Sequence, residues 1–398
     1  MQKKNSYTIG IDARIYSTST GGIGRYTREL ICGLESIIDA KDRAQNPYNK
    51  DLNFVIFLNS EGYREYRPKN EHFKKVLVDV GWYGFSEQFF TLPKWLEARL
   101  DLMHFTHFNK SIFYRKPYVV TIHDLTYSMQ KKLRISKLPP IIFEIKHFVY
   151  EQAIKDTIRR AKAIVVPTKY SKKDIIKKYN IKSDTVAVTY ESVDKDFAKL
   201  GSKRILENLK KRFNIHYPYF IYIGNAAPHK NLKRLVVAFS LFLQKQPEAQ
   251  LVLIGKKNKF YIDLEEFVRE KGLSDKVILT DMLNDAEYQS LLSGACASAF
   301  ASLAEGFGIP PLEAMASNVP VVMSDATCLP EVGGDAALYF DPMDERDMAQ
   351  KLEKIFTDVG LREQLIRKGE ERIKNFSWDK MAQETLAVYE KILSDINK

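Results

Sequence analysis

The sequence predicts an α/β fold built from two doubly wound domains, each a parallel sheet covered by helices. Short β-rich runs alternate with helical runs in both halves of the chain, which is typical of parallel strands joined by crossover helices. The 398 residues are too many for one hydrophobic core. We therefore expect two domains that join within the stretch Glu191–Tyr217.

Thirteen strands are predicted, and a ligand site is expected in the loops that follow them, because open α/β sheets bind ligands at the carboxyl ends of their strands. In the first half the predicted strands are Tyr7–Asp12, Asn53–Leu58, Lys74–Val78, Leu102–Phe105, Tyr118–Ile122, Ala163–Pro167 and Thr185–Val188. In the second half they are Tyr219–Gly224, Gln250–Gly255, Lys276–Thr280, Ala295–Ser302, Val319–Ser324 and Ala336–Phe340.

Charge is distributed unevenly along the chain, whose net charge is +11. Residues 101–182 contain 18 Lys and Arg but only 6 Asp and Glu, and basic and large apolar side chains interleave between Lys131 and Tyr150. A solubilising surface would explain this excess, and so would an anionic membrane, a nucleic acid or an acidic acceptor. No DNA- or RNA-binding motif accompanies it, so nucleic acid is not an expected partner. Peripheral contact of residues 131–182 with an anionic membrane stays a hypothesis.

Nothing in the sequence indicates a membrane span or secretion. No apolar run approaches the roughly 18 to 20 residues that a span needs, and Met1–Ser6 lacks an apolar segment before the first strand. Cys32, Cys296 and Cys328 are scattered without metal-site spacing, as expected in a reducing compartment. We therefore predict a cytoplasmic protein, which membrane contact would hold at the inner face of the cell membrane.

The most informative stretch is Ala295–Ser324. A small, apolar strand leads into Glu305-Gly-Phe-Gly-Ile-Pro-Pro, and a short helix with Glu313 follows, with a proline expected at its first position. Such a turn and helix start form an anion site, because free amides and the helix dipole point at the ligand. Two flanking carboxylates would repel phosphate alone, so the pattern favours a ligand that also carries sugar hydroxyls, such as a nucleotide sugar. For either glutamate alone, a solvated loop or a helix cap is an equally good interpretation.

The segment from Glu305 to Ala316 closely resembles the E-x7-E signature of family-4 retaining glycosyltransferases of the GT-B fold, and the resemblance extends over nearly the whole chain. It implies two Rossmann-like domains that face each other across a cleft, with a last helix that crosses back to the first domain. The first, acceptor-side domain would then comprise residues 1–200 and 376–398, and the second, nucleotide-sugar-binding domain residues 201–375. Trp378 would be a packing residue.

The resemblance also implies roles in the second domain. Glu305 would orient the donor sugar, and Glu313 would accept hydrogen bonds from the ribose. Lys230 would bind the diphosphate together with three residues of the turn: Gly306, Phe307 and Gly308. Asn225 is included among the donor-binding residues, although many members carry an arginine there. Three residues are candidates for the missing positive charge: His229, Arg234 and Arg25.

In the first domain, Thr20–Arg25 follows the first strand. Its spacing alone indicates a tight turn, whereas the resemblance implies a loop that faces the donor phosphate or the acceptor through Gly22, Gly24 and Arg25. His123 directly follows a buried strand, where a lone histidine is more often structural. The resemblance implies that it approaches the donor sugar and acts in catalysis with Lys230 and Glu305. Two further histidines complete no metal pattern and are expected to be structural: His104 and His107.

The predicted function is retaining transfer of a hexose from a nucleotide diphosphate sugar to a glycan or lipid-linked acceptor in cell-envelope polysaccharide synthesis. The sequence has no carboxylate pair arranged as in a retaining hydrolase, which favours front-face attack on the donor sugar. We expect neither a metal nor a cofactor besides the donor. Gly224–Asn231 looks most like bacterial envelope-polysaccharide mannosyltransferases, which suggests GDP-mannose, with a UDP-sugar as the other candidate. A phosphorylase or epimerase of the same fold, a basic nucleic-acid-binding protein and a non-catalytic scaffold are the alternatives.

Overall fold

The computed structural model describes residues 6–16, 21–39, 51–81, 85–125, 140–199 and 201–396. The chain divides into two compact units. The first contains the described residues up to Leu125, those from Pro140 to Glu191, and the last helix, whereas the second runs from Ser192 to Ser377. The polypeptide therefore leaves the first unit after Glu191 and returns to it at Trp378.

Seven strands form one sheet in the described part of the first unit. They are β1 (Ser6–Asp12), β2 (Asp51–Leu58), β3 (Phe73–Leu77), β4 (Leu102–Phe105), β5 (Tyr118–Thr121), β6 (Ala163–Val166) and β7 (Val186–Val188). Their order across the sheet is β3-β2-β1-β4-β5-β6-β7, and all neighbours run parallel. Every residue of β4, β5 and β6 is buried, as expected for strands covered on both faces.

Six strands form the sheet of the second unit. They are β8 (Tyr219–Ile223), β9 (Gln250–Ile254), β10 (Val277–Thr280), β11 (Ala297–Phe300), β12 (Val321–Ser324) and β13 (Ala337–Phe340). The order is β10-β9-β8-β11-β12-β13, again all parallel. In both units the strand order reverses beside the first strand, so that β1 neighbours β4 and β8 neighbours β11. Ligands bind at such switch points in open α/β sheets.

Fourteen α-helices lie in the described ranges. In chain order they are α1 (Gly22–Asp39), α2 (Ser60–Glu65), α3 (Phe85–Glu97), α4 (Pro140–Arg160), α5 (Lys169–Tyr179), α6 (Lys203–Phe213), α7 (Leu232–Leu243), α8 (Lys259–Glu270), α9 (Asp285–Ser293), α10 (Ile309–Ala316), α11 (Leu329–Gly333), α12 (Glu345–Thr357), α13 (Val359–Ile373) and α14 (Trp378–Ile396). The helices α1 to α5 and α14 belong to the first unit, and α6 to α13 belong to the second.

The predicted fold class is confirmed, because all thirteen predicted strands occur and pair in parallel, with ends displaced by at most two residues. Part of the predicted junction is helical: α6 begins at Lys203, where the Ser202 hydroxyl accepts a hydrogen bond from the Ile205 amide. The last helix, α14, packs on α1 so closely that a Cβ on Gly33 would lie 2.5 Å from the Ala382 Cβ. Trp378 is buried at the start of that helix.

Candidate functional site

An ion pair links the two loops at the switch point of the second unit. Lys230 ends a single 3₁₀ turn after β8, and Glu305 lies in the loop after the neighbouring β11. The Lys230 Nζ lies 2.7 Å from Glu305 Oε1, and the two side chains are only 14% and 11% exposed. The Leu303 amide donates to the His229 carbonyl at 2.7 Å, which joins the same loops through the backbone. The structure thus brings together two residues 75 positions apart that the sequence singled out separately.

The glycine-rich turn has a backbone that requires glycine at Gly308. This residue caps α10 with a φ of 98°, and a Cβ there would lie 3.0 Å from Leu329 Cδ2. The helix begins at Ile309 rather than at a proline, so the expectation of proline at the first position was wrong by one residue. Pro310 and Pro311 fill the next two positions, and neither has an amide hydrogen. Backbone donors for an anion at this helix start are therefore limited to the residues from Gly306 to Ile309.

Glu313 lies in the second turn of α10 and is 4% exposed. Its Oε2 accepts a hydrogen bond of 3.0 Å from the Tyr288 hydroxyl on α9. A carboxylate this far inside a protein requires hydrogen-bond donors to offset its desolvation. Glu313 is therefore not a solvated residue, and Tyr288 is a partner that sequence reasoning missed.

The loop after β8 does not identify the residue that would supply a second positive charge, besides Lys230, for the donor diphosphate. Asn225 is exposed, and its Oδ1 accepts a hydrogen bond of 3.1 Å from the Ala227 amide, so it stabilises its own turn. Arg234 pairs with Glu345 at 2.7 Å and also donates to Asn231 Oδ1. Like Lys230, this arginine is therefore ion-paired within the second unit. His229, Arg234 and Arg25 all remain candidates, and Arg25 belongs to the first unit.

The glycine loop of the first unit forms the start of α1. Gly21 has a φ of 70°, which glycine adopts without strain, so the tight-turn interpretation holds at this position. Gly22 and Gly24 already lie in the first helical turn, followed by a half-buried Arg25. A Cβ on Gly22 would meet no atom within 4 Å. Neither packing nor φ thus requires glycine at position 22. A glycine in open space of this kind is consistent with a position where a ligand approaches the backbone.

His123 is held at both ring nitrogens. Its Nε2 lies 3.0 Å from the Thr106 carbonyl oxygen, and its Nδ1 lies 3.1 Å from Glu191 Oε1. The Tyr26 ring packs edge-on against it, with centroids 4.7 Å apart. Both nitrogens therefore face acceptors, and the ring has no free nitrogen to act as a general base without breaking a contact.

Beneath His123 lies a buried chain of hydrogen bonds. The Tyr26 hydroxyl and His104 Nε2 both contact Thr121 Oγ1, at 3.0 and 2.8 Å, and His104 Nδ1 contacts the Tyr389 hydroxyl of α14. Burial, with a smaller contribution from the charge of His123, lowers the pKa of both His104 and His107 to about 3. These two histidines are interior and neutral, as the structural interpretation predicted.

A second buried cluster was not anticipated. Arg14, which is fully buried just after β1, pairs through Nη2 with Asp12 at 2.7 Å and with Glu87 of α3 at 2.9 Å. The spacing Asp12-x-Arg14 at the end of the first strand was the only sequence signal for it. Within the described ranges, no three His, Cys, Asp or Glu side chains gather as a metal site requires. Metal independence stays a prediction.

The chain matches two families of known proteins. Residues 47–197 match Glycosyltransferase Family 4, and residues 206–372 match Glycosyl transferases group 1. The chain is 29% identical to O-antigen chain mannosyltransferase B of Escherichia coli, over 92% of this chain and 95% of that protein. It is also 29% identical to O-antigen chain mannosyltransferase RfbU of Salmonella typhimurium, over 61% of this chain and 65% of the relative. Sucrose-phosphate synthase from Thermosynechococcus elongatus has the same fold, with a TM-score of 0.72 at 18% identity, over 98% of this chain and 100% of that one.

Proposed function

The chain is a glycosyltransferase of the GT-B fold, and on this premise we propose that it transfers mannose from GDP-mannose, with retention, to a saccharide or lipid-linked acceptor of the cell envelope. The observation that carries the proposal is the Lys230–Glu305 pair beside the glycine-rich turn at the switch point of the second unit. Mannose is the sugar named in the O-antigen relatives, and a UDP-sugar is the alternative donor.

The pair holds a lysine ready to bind phosphate. Glu305 neutralises the half-buried ammonium of Lys230 and fixes its position. A diphosphate would compete with Glu305 for that ammonium and take further hydrogen bonds from the amides between Gly306 and Ile309. Lys230 would then stabilise the charge that develops on the leaving diphosphate, which is commonly the largest catalytic contribution. The released Glu305 carboxylate would be left to orient the sugar hydroxyls.

Glu313 would accept hydrogen bonds from the ribose hydroxyls. The same carboxylate also accepts a hydrogen bond from the Tyr288 hydroxyl. Gly22, Gly24 and Arg25 would face the donor phosphate or the acceptor, and Asn225 would contact the donor from its exposed turn. His123 would contribute a fixed polar edge near the transferred sugar rather than a base, because both of its nitrogens are engaged. Front-face attack suits this assignment, since it needs no enzymatic nucleophile.

We further propose that the protein works at the cytoplasmic face of the cell membrane, against anionic lipid. Phe148 and Val149 on α4 are 64% and 60% exposed, and five lysines lie on α5: Lys169, Lys172, Lys173, Lys177 and Lys178. Residues 131–139, which belong to the same predicted segment, lie outside the described residues. None of the helices in the described ranges has the length and hydropathy to cross a bilayer.

The test is product analysis with a panel of donors. The purified protein is incubated with GDP-mannose, UDP-glucose or ADP-glucose and with membrane-extracted lipid-linked saccharide, and the nucleotide and glycan products are identified. We expect GDP release that depends on the acceptor, with an α-mannosyl product from the α-linked donor. A β-linked product would refute retention, and release of a sugar 1-phosphate that requires inorganic phosphate would identify a phosphorylase instead.

A further inference from the structure

Glu191 is a buried carboxylate for which the proposed donor site has no use. It is 6% exposed, and it follows β7 at the point where the chain passes from the first unit into the second at Ser192. Its Oε1 lies 3.1 Å from His123 Nδ1. A carboxylate buried to this extent is costly unless a hydrogen-bond donor faces it. The contact with His123 therefore raises the question of which protons the imidazole ring carries.

The hydrogen-bond partners of His123 fix the number of protons on its ring. A carbonyl oxygen only accepts, so Nε2 must donate to Thr106 O. A neutral ring would then present a lone pair at Nδ1 to a carboxylate that also only accepts. One more proton between Nδ1 and Glu191 Oε1 would resolve this conflict between two acceptors.

Among the described residues, the neighbouring Tyr26, His104 and His107 do not supply an alternative donor. Tyr26 presents its ring to His123 and directs its hydroxyl to Thr121. His104 and His107, whose pKa values burial lowers to about 3, are neutral and bring no competing positive charge. Glu191 is thus the charged partner that faces the His123 ring.

We propose that Glu191 is a positioning residue of the transfer reaction, which holds His123 as a doubly protonated ring in a single orientation. The inference rests on the proposed function in one respect, namely that His123 lies at the transferred sugar. Glu191 would act only through His123 and would not touch the substrate. Because the chain passes into the second unit directly after Glu191, the same contact also attaches this part of the chain to the carboxyl end of β5.

The first experiment measures the ring directly and does not depend on activity. The protein carries seven histidines, so selective ¹⁵N-histidine labelling resolves them, and His123→Gln assigns the signal. At pH 7.5 we expect two N–H-type nitrogens for His123 in the native protein. In Glu191→Gln the amide can donate to Nδ1, so we expect one N–H nitrogen, Nε2, and one bare nitrogen. A single protonated nitrogen in the native protein, or an unchanged ring in the variant, would overturn the proposal.

The second experiment separates positioning from folding. Glu191→Gln preserves size, so we expect kcat to fall roughly tenfold while KM for the donor and the melting temperature stay close to native values. Asp196→Asn, an exposed junction residue that pairs only with Lys199, is the matched control and should retain native kinetics. Native kcat in folded Glu191→Gln would refute the positioning role. A native enzyme without transferase activity would instead contradict the proposed function, and the ring measurement would still decide the Glu191–His123 pairing.

Discussion

At the level of single residues, the proposed donor site centres on one ion-paired lysine. Lys230 is paired with Glu305, so its charge is largely removed from water but not left without a partner. Pairs of this burial are sensitive to the loss of one member, because the remaining charge loses its compensation. The Glu313 carboxylate depends in the same way on the Tyr288 hydroxyl.

We expect Lys230→Ala and Glu313→Ala each to lower kcat/KM at least about tenfold, because each would remove a charged contact to the donor. Steady-state kinetics with the preferred donor measures the loss, and circular dichroism shows whether the variants fold. Lys233→Ala, an exposed lysine in the following helix, serves as the matched control with native kinetics. Native kinetics in either folded site variant would remove that residue from the site.

A buried lysine in the first unit makes a separate prediction about pH. Burial lowers the pKa of Lys110 to about 8, although Asp156 opposes the effect from 3.6 Å. The unfolded chain then binds more protons than the folded protein between about pH 8 and 10.5, so this group makes the free energy of unfolding rise with pH in that window. The cost is fully present below pH 8, where it reaches up to about 3 kcal/mol.

Lys110→Met should therefore be more stable than the native protein at pH 7, and the difference should shrink by pH 9.5. Asp156 keeps Arg160 as a partner in this variant. Urea unfolding of both proteins at the two pH values measures the difference. A variant that is less stable at pH 7, or a gap that widens with pH, would show that the lysine stabilises the fold.

At the level of elements, the conformation of the turn between β11 and α10 depends on two prolines and on a glycine that other residue types cannot replace without strain. The left-handed backbone at Gly308 sets the direction in which α10 leaves the strand. The two prolines that follow Ile309 have no amide hydrogen to donate at the helix start. The sequence predicted this element because glycine permits a left-handed turn and proline restricts the backbone locally. The partner of Glu313 on α9 was not predictable, because the contact depends on how two helices pack.

Gly308→Ala should destabilise the protein by about 1–3 kcal/mol, because alanine is strained at this φ and its Cβ would press against Leu329. Donor affinity should fall with it, since the amides of the turn would move. Gly360→Ala is the control: it lies in the first turn of α13 with only an ordinary contact to Asp358, and there we expect no loss of stability. Thermal unfolding with and without nucleotide measures both effects, and equal stability of the two variants would speak against a strained turn.

For the chain as a whole, the fold followed from the sequence, because thirteen short strands alternate with helices and leave few topologies for parallel sheets. The sequence singles out the residues of the proposed donor loops because local motifs mark them. It does not single out Glu191 or Arg14, because their partners come near only when the sheet has formed. The sequence also singles out His123, but only the structure shows that both of its nitrogens are engaged, which makes it unsuitable as a base.

Membrane contact can be tested on the intact protein with vesicles. We expect co-sedimentation with phosphatidylglycerol vesicles and little with phosphatidylcholine, weakening as salt screens the lysines. Replacing Phe148 and Val149 together by serine should reduce binding by removing the exposed apolar contact. Binding that is unchanged in this variant, or independent of lipid charge, would exclude the proposed surface.

The donor site itself is best tested by thermal unfolding with GDP, UDP, ADP, dTDP and CDP, each with and without magnesium. A ligand at about 100 times its dissociation constant adds roughly 2.7 kcal/mol to the free energy of unfolding, enough to raise the midpoint by several degrees. We predict that GDP raises the midpoint without magnesium, and that Lys230→Ala abolishes the rise while Lys233→Ala preserves it. If no diphosphate shifts the native protein, or if Lys230→Ala responds as the native protein does, the second unit does not hold its donor at this site.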